Sequence, residues 1–215
     1  MTPATPPPDD PVAAPRVRVL ILFAHPALEK SRVHRQLVRA VSTLPGVTFH
    51  DLYEAYPHFD VDVRREQALL VSHDVVVLQH PFFWYSAPAL LKQWQDLVLE
   101  HGWAYGTGGT VLRGKRLLSA ISTGGRESAY SRDGLNRFTV RELLAPIEQT
   151  ARLCGLDVLP PFVVHGTHRM SEAEIDGAAA DYRRVIEALR DDRVDIEAVR
   201  ELPRLNTDLD RVLRR

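Results

Sequence analysis

The stretch Val75 to Tyr105, VVVLQHPFFWYSAPALLKQWQDLVLEHGWAY, decides the reading of this chain. Val75 to Leu78 form a short β-branched, apolar run of the kind buried on both faces of a sheet. Gln79-His80-Pro81 is expected to stop the ladder, because proline has no N–H to donate. Four aromatics, Phe82, Phe83, Trp84 and Tyr85, then fill an exposed turn, and Ser86 is placed to cap the next helix. In that helix Leu90, Leu91, Trp94, Leu97 and Val98 recur at helical spacing. Aromatic residues at the carboxyl end of a buried strand stand where open α/β sheets hold ligands.

The same strand-then-helix grammar extends in both directions. Val17 to Ala24 reads as a first strand, with a helix from about Ser31 whose buried stripe is Val33, Leu37, Ala40, Val41 and Leu44. Val47 to Leu52 is a second strand, and Arg64 to Ser72 a helix. Lys115 to Ile121 is a fourth strand leaving through Ser122-Thr123-Gly124-Gly125. Phe138 to Cys154 is helical, with Pro146 forcing a kink or a late start. Leu156 to Val164 is a fifth strand, and Pro160-Pro161 across its middle marks an edge or a bulge. Ser171 and Glu174 form a capping box for a last helix to about Leu189. Strands alternating with helices predict an α/β, doubly wound, five-stranded parallel sheet of flavodoxin-like order 2-1-3-4-5, helices on both faces. Residues 17–190 form this domain; 1–16 are a proline-rich arm expected to be disordered, and 191–215 a charged, peripheral extension, solvated and helical or mobile.

With 215 residues, one domain is expected, and a net charge of -1 offers no field for nucleic acid. The lone Cys154 allows no internal disulfide; with no apolar run of membrane-spanning length and no signal-peptide pattern, a cytoplasmic location is expected. His165 and His168 lack a third ligand nearby, and no metal site is expected.

In the 2-1-3-4-5 order the exits of strands one, three and four meet at one crevice. The first exit offers a helix N-terminus, Ser31, His25 and His34 as donors to an anion. Neither GxxxxGK[ST] nor GxGxxG is present, so neither a triphosphate loop nor a Rossmann nicotinamide site is expected. A phosphate site beside an aromatic wall and a Gly-Gly turn suits FMN, with Gly124 and Gly125 letting backbone approach a flat ring.

His25-Pro26 with Ser31, QHPFFWYSAPALLKQWQDLVLEHGWAYG, and STGG resemble the flavodoxin-like NAD(P)H:quinone reductases. Within them the chain is most similar to the ancillary flavoproteins of glutathione-regulated potassium efflux (Kef type), as GWAYGTGGTVLRGK and DLYEAYPHFDVDVRREQALL also indicate. The resemblance implies FMN held by His25, Ser31, Arg32, Val33 and His34, by Phe82, Phe83, Trp84 and Tyr85, and by Ser122, Thr123, Gly124 and Gly125. It implies a homodimer, NAD(P)H as co-substrate, and ping-pong hydride transfer through the flavin to a quinone or related small-molecule acceptor. Two alternatives stay open: an ancillary regulatory subunit of a potassium/proton antiporter, held by that partner at the inner face of the cell membrane, and a one-electron carrier of flavodoxin type. Position 34 is His where the family usually has Asn. Tyr130 matches a tyrosine of the mammalian-type enzymes and is the candidate catalytic residue, whereas Asn136 stands in place of their histidine.

Overall fold

The computed structural model describes residues 17–200 and 202–214; the amino-terminal arm lies outside the described residues. Strand β1 (Val19–Phe23) leads through a short turn into helix α1 (Arg32–Val41), and β2 (Val47–Asp51) follows. Asp51 caps a one-turn helix, α2 (Leu52–Ala55), which begins where the second strand is expected to end. Helix α3 (Val63–Ser72), β3 (Val75–Pro81), α4 (Ala89–Val98) and β4 (Arg116–Ser122) complete the first four units. Then come α5 (Val140–Leu143), α6 (Ala145–Leu153), two strand pieces β5 (Asp157–Val158) and β6 (Phe162–Val164), and the long α7 (Glu172–Arg190). Two single turns, α8 (Ile196–Val199) and α9 (Leu209–Val212), close the described chain.

The sheet is parallel throughout, in the order β2-β1-β3-β4-β5, with β6 also paired to β4. Side chains alternate between its faces. Val19, Ile21, Val75, Val77, Leu118 and Phe162 meet α1 and α7 on one face. Leu20, Leu22, Val76, Leu78, Leu117 and Ile121 meet α3, α4 and α6 on the other. Each fully buried aliphatic side chain contributes about 1.5–3 kcal/mol, so two covered faces make a substantial core.

Three local expectations are revised. First, β3 does not stop before Pro81: Pro81 pairs with Ser122, and the next N–H, that of Phe82, donates to Ser122 O at 2.8 Å. Alternate residues of a parallel strand face opposite neighbours. Gln79 O accepts from Ala24 on the β1 side, so Pro81 faces that side too, beyond the end of β1, and no ladder bond is lost. Second, Ser86 does not cap α4. Pro88 holds that position, and Ser86 N–H donates instead to Phe83 O at 3.0 Å. Third, the carboxyl-terminal segment is not a solvated extension. Val199, Leu205 and Val212 are fully buried in the α1/α7 core.

The proline pair has the consequence its position predicts. Arg116 and Leu117 pair with Asp157 and Val158, and Ala120 pairs with Phe162. Between these pairs β4 contributes Leu118 and Ser119, while the edge contributes Leu159, Pro160 and Pro161. One extra residue makes a bulge in the edge strand. The carboxyl-terminal segment covers that edge: Asn206 accepts from Val163 N–H and donates to Val163 O, both at 3.0 Å, and Leu205 N–H donates to Pro161 O at 2.8 Å. Pro146 stands in the first turn of α6, and the one helix expected over 138–154 is broken at Leu144 into α5 and α6.

Candidate functional site

The loop after β1 is shaped by two side chains that bond to their own backbone. Ser31 caps α1 by accepting the His34 N–H at 3.1 Å, which leaves the Arg32 and Val33 N–H groups at the open end of the helix. His25 Nδ1 accepts the Ala27 N–H at 3.1 Å. Burial pushes the His25 pKa down, against the opposing charge of Glu29, so the ring is neutral at pH 7 and its hydrogen sits on Nε2. The β1 exit thus offers backbone, hydroxyl and imidazole donors, with Lys30 beside them and the Arg32 guanidinium paired to Glu172 at 2.5 Å.

The β3 exit is a tight turn. Phe83 O accepts the Ser86 N–H, and the two residues between, Trp84 and Tyr85, have φ of 49° and 63°. Positive φ at both central positions defines a type I′ turn, which ordinarily takes Asn-Gly. Two aromatic residues there carry backbone strain, of the kind concentrated at functional sites. Trp84 is 92% exposed, and the Tyr85 hydroxyl donates to Asn136 Oδ1 at 3.2 Å, tying this turn to the loop beyond β4.

At the β4 exit, Thr123 Oγ1 donates to Gly125 O at 2.9 Å and lies 3.0 Å from His165 Nδ1. Burial, with Arg204 adding to it, lowers the His165 pKa to about 4. A Cβ on Gly124 would lie 2.6 Å from the His168 imidazole, and one on Gly125 would lie 3.0 Å from the Tyr130 ring. A side chain at either position would have to displace one of these rings, the exposed His168 or the half-buried Tyr130. Burial raises the Tyr130 pKa, so its phenol remains a protonated donor at neutral pH.

These exits border a cleft of about 390 Å³, within the range of small-molecule sites. Of the residues singled out in the sequence, His25, Ser31, Arg32, Val33, Phe83 and Ser122 line it. His34 does not: its side chain is fully buried behind the wall, hydrogen-bonded to Ser122 Oγ at 2.9 Å. Phe82 turns inward to Tyr130, ring centroids 6.4 Å apart, and Thr123 lies under the Gly-Gly turn. Tyr130 lines a neighbouring cavity of about 160 Å³ with His165, Arg141 and Arg204. The cleft also takes Lys30, Pro81, Thr167 and His168, which sequence reasoning missed as ligand contacts. Thr167 and His168 follow β6, whose pairing with β4 brings them to the same rim; the only signal for them was their place just after a strand.

The donor set suits FMN at one end of the cleft: cations, a helix N-terminus and hydroxyls for a phosphate, with Val33, Pro81 and Phe83 as apolar wall. The arrangement defines a doubly wound α/β protein with a cleft at the carboxyl ends of the central strands, where such sheets hold their ligands. The chain belongs to the family with the flavodoxin-like fold, which it matches over residues 17–186. It is 46% identical over 163 residues to an uncharacterized NAD(P)H oxidoreductase, YrkL, of Bacillus subtilis, covering 76% of this chain and 94% of that protein. It is 46% identical over 165 residues to the glutathione-regulated potassium-efflux system ancillary protein KefG of Escherichia coli, covering 77% and 90%. Among solved structures, general stress protein 14 of Treponema denticola in complex with FMN aligns with a TM-score of 0.76 and 41% identity, covering 80% of this chain and 99% of that one. An NADPH-quinone reductase from P. pentosaceus aligns with a TM-score of 0.72 and 33% identity, covering 78% and 96%.

Proposed function

We propose that this protein is an FMN-dependent NAD(P)H oxidoreductase that passes two electrons, in a ping-pong scheme, to a quinone or related small acceptor. The observation that carries this reading is the meeting of the donor-rich β1 exit with Phe83 of the β3 exit and Ser122 of the β4 exit in one cleft, which Trp84, Tyr85, Gly124 and Gly125 do not themselves line. The FMN complex of one relative and the NADPH-quinone reductase name of another support it. When bound, FMN supplies the two-electron chemistry between nicotinamide and acceptor. The chain's own work is to bind and orient. His25, Ser31 and the Arg32 and Val33 N–H groups would hold the phosphate, with Lys30 balancing its charge while the Arg32 guanidinium is paired to Glu172. Phe83 would stand against the ring from the cleft wall, and the exposed Trp84 and Tyr85 and the Gly124-Gly125 turn would border it from outside the cleft lining. Tyr130, a protonated phenol over that turn, donates a hydrogen bond to the acceptor. Exposed Phe83, Trp84, Tyr85, Leu135 and Phe138 suit a second copy of the chain, giving a homodimer. No described helix is long and apolar enough to cross a membrane, and we place the protein in the cytoplasm.

The test is optical. Purified protein should show oxidised-flavin absorption, alone or after adding FMN, and NADPH under argon should bleach it with a quinone restoring it. Protein that stays colourless with added FMN overturns the reading. The similarity to KefG favours a second role, as ancillary subunit of a potassium/proton antiporter. Co-purification with an antiporter from solubilised membranes tests that role, and its failure leaves the oxidoreductase reading standing.

A further inference from the structure

A line of polar side chains runs through the core behind the cleft wall. The Tyr182 hydroxyl, on α7, is 3.0 Å from Gln79 Oε1. Gln79 Nε2 is 3.5 Å from His34 Nδ1, and His34 Nε2 is 2.9 Å from Ser122 Oγ. Tyr182, Gln79 and His34 are fully buried, and Ser122 alone reaches the cleft.

The hydrogens along this line have one consistent direction. Among the described residues, Gln79 is the only hydrogen-bond partner of the Tyr182 hydroxyl. Turning the Gln79 amide over would make the phenol an acceptor and leave its hydrogen buried without a partner. Gln79 therefore presents its NH₂, which only donates, to His34 Nδ1. Burial, with His25 and His80 close by, holds the His34 pKa well below 6.5, so the ring is neutral. A neutral ring accepting at Nδ1 carries its hydrogen on Nε2, which donates to Ser122 Oγ. The hydrogen of Ser122 itself is then left for the cleft.

We propose that Tyr182, Gln79 and His34 are positioning residues, a buried relay of donors that fixes the Ser122 hydroxyl as a donor to the ligand. The ligand atom facing Ser122 is accordingly an acceptor. The relay stands on the side-chain geometry; only the identity of that acceptor, an oxygen or ring nitrogen of FMN, rests on the flavin reading. His34 thus serves the cleft without entering it, and Tyr182 sets a hydrogen-bond direction three side chains away.

Two measurements on the full chain test this. Long-range proton–nitrogen NMR of ¹⁵N-labelled protein without cofactor should show the His34 ring, assigned by its loss in His34→Gln, as the Nε2–H tautomer at pH 7. Tyr182→Phe should shift that ring toward the Nδ1–H form, because Gln79 is then free to turn over. For FMN binding, Ser122→Ala should weaken the Kd about tenfold and Tyr182→Phe about threefold. The double variant should bind no more weakly than Ser122→Ala, since Tyr182 acts only through Ser122. An Nδ1–H tautomer in the wild type, or a full threefold effect of Tyr182→Phe retained in the Ser122→Ala background, overturns the relay. Should the wild type bind no FMN, the oxidoreductase reading fails while the tautomer alone decides the relay.

Discussion

Two polar networks lie buried on opposite faces of the sheet, and they end differently. On the α3/α4 face, Glu66 accepts from His50 Nε2 at 2.8 Å, from the Tyr56 hydroxyl at 2.5 Å and from Trp94 Nε1 at 2.8 Å. A carboxylate only accepts and an indole only donates, so these bonds converge and stop. On the α1/α7 face the members are a phenol, an amide, a neutral imidazole and a hydroxyl, each of which both donates and accepts. Their bonds run in series from Tyr182 to Ser122 and end at the cleft. The converging network ties β2, α3 and α4 together; the serial one delivers a direction to the ligand. The chemistry of the members, more than their burial, separates the structural role from the functional one.

The strongest challenge to that separation is Glu66→Leu. It leaves three buried donors without an acceptor, and the expected loss is about 3–5 kcal/mol of unfolding free energy. Urea denaturation measures it. The FMN Kd of the folded fraction should stay within about twofold of wild type. A parallel loss of FMN affinity would mean that the two networks are one.

Acid should dissect the histidines from the carboxylate. His25, His34, His73, His80 and His165 all have pKa values lowered by burial, His80 and His165 to about 4. Below pH 6.5 the unfolded chain binds protons that these folded rings refuse, so stability is full above 6.5 and is lost as pH falls toward about 4. Each such histidine contributes a slope of at most about 1.4 kcal/mol per pH unit. Glu66 acts lower. Its burial raises the carboxyl pKa, but the three donors outweigh that and hold it below 4.5, so its contribution is lost only as pH falls through that depressed value. Urea midpoints between pH 8 and 4 should therefore fall from 6.5 downward, and His34→Gln should reduce the slope by about one proton's worth. A flat profile above pH 5 would mean that the buried rings take up protons in the folded state, and the relay would lose its neutral link.

How much of this was open to reading from the sequence follows from the range of each interaction. The Ser31 cap, the Ser171/Glu174 capping box and the alternating faces of β1 and β3 are local patterns, and they place the elements and the sheet order. Six of the singled-out residues meet in the cleft because the topology alone brings their loops together. Pro81 misleads because the cost of a missing N–H depends on which neighbour the residue faces, and that is set by where β1 ends. The charges of 191–215 conceal Val199, Leu205 and Val212, spaced for burial only once the segment wraps the sheet edge. His34 looks like a cleft donor by its place after a strand; its role emerges only from Gln79, Tyr182 and Ser122, distant in sequence by up to 103 positions from their partners.

The smallest expected effect returns to the ligand end of the comparison, at Trp84-Tyr85. Unlike Glu66, whose partners hold it in ordinary backbone, these two residues keep left-handed φ values with one backbone bond and one exposed side-chain bond. Left-handed backbone costs an ordinary side chain about 1 kcal/mol or somewhat more, and Asn-Gly would remove most of that cost in a type I′ turn. Trp84→Asn with Tyr85→Gly should therefore raise the melting temperature of the cofactor-free protein by a few degrees. The same change should weaken FMN about tenfold, because the ring loses an aromatic wall. A stability gain with unchanged FMN affinity would mean that the strain serves another surface, such as the contact with a second copy of the chain. A stability loss would mean that the exposed Trp84 is held by packing, and that the β3 exit belongs with the converging network rather than with the cleft.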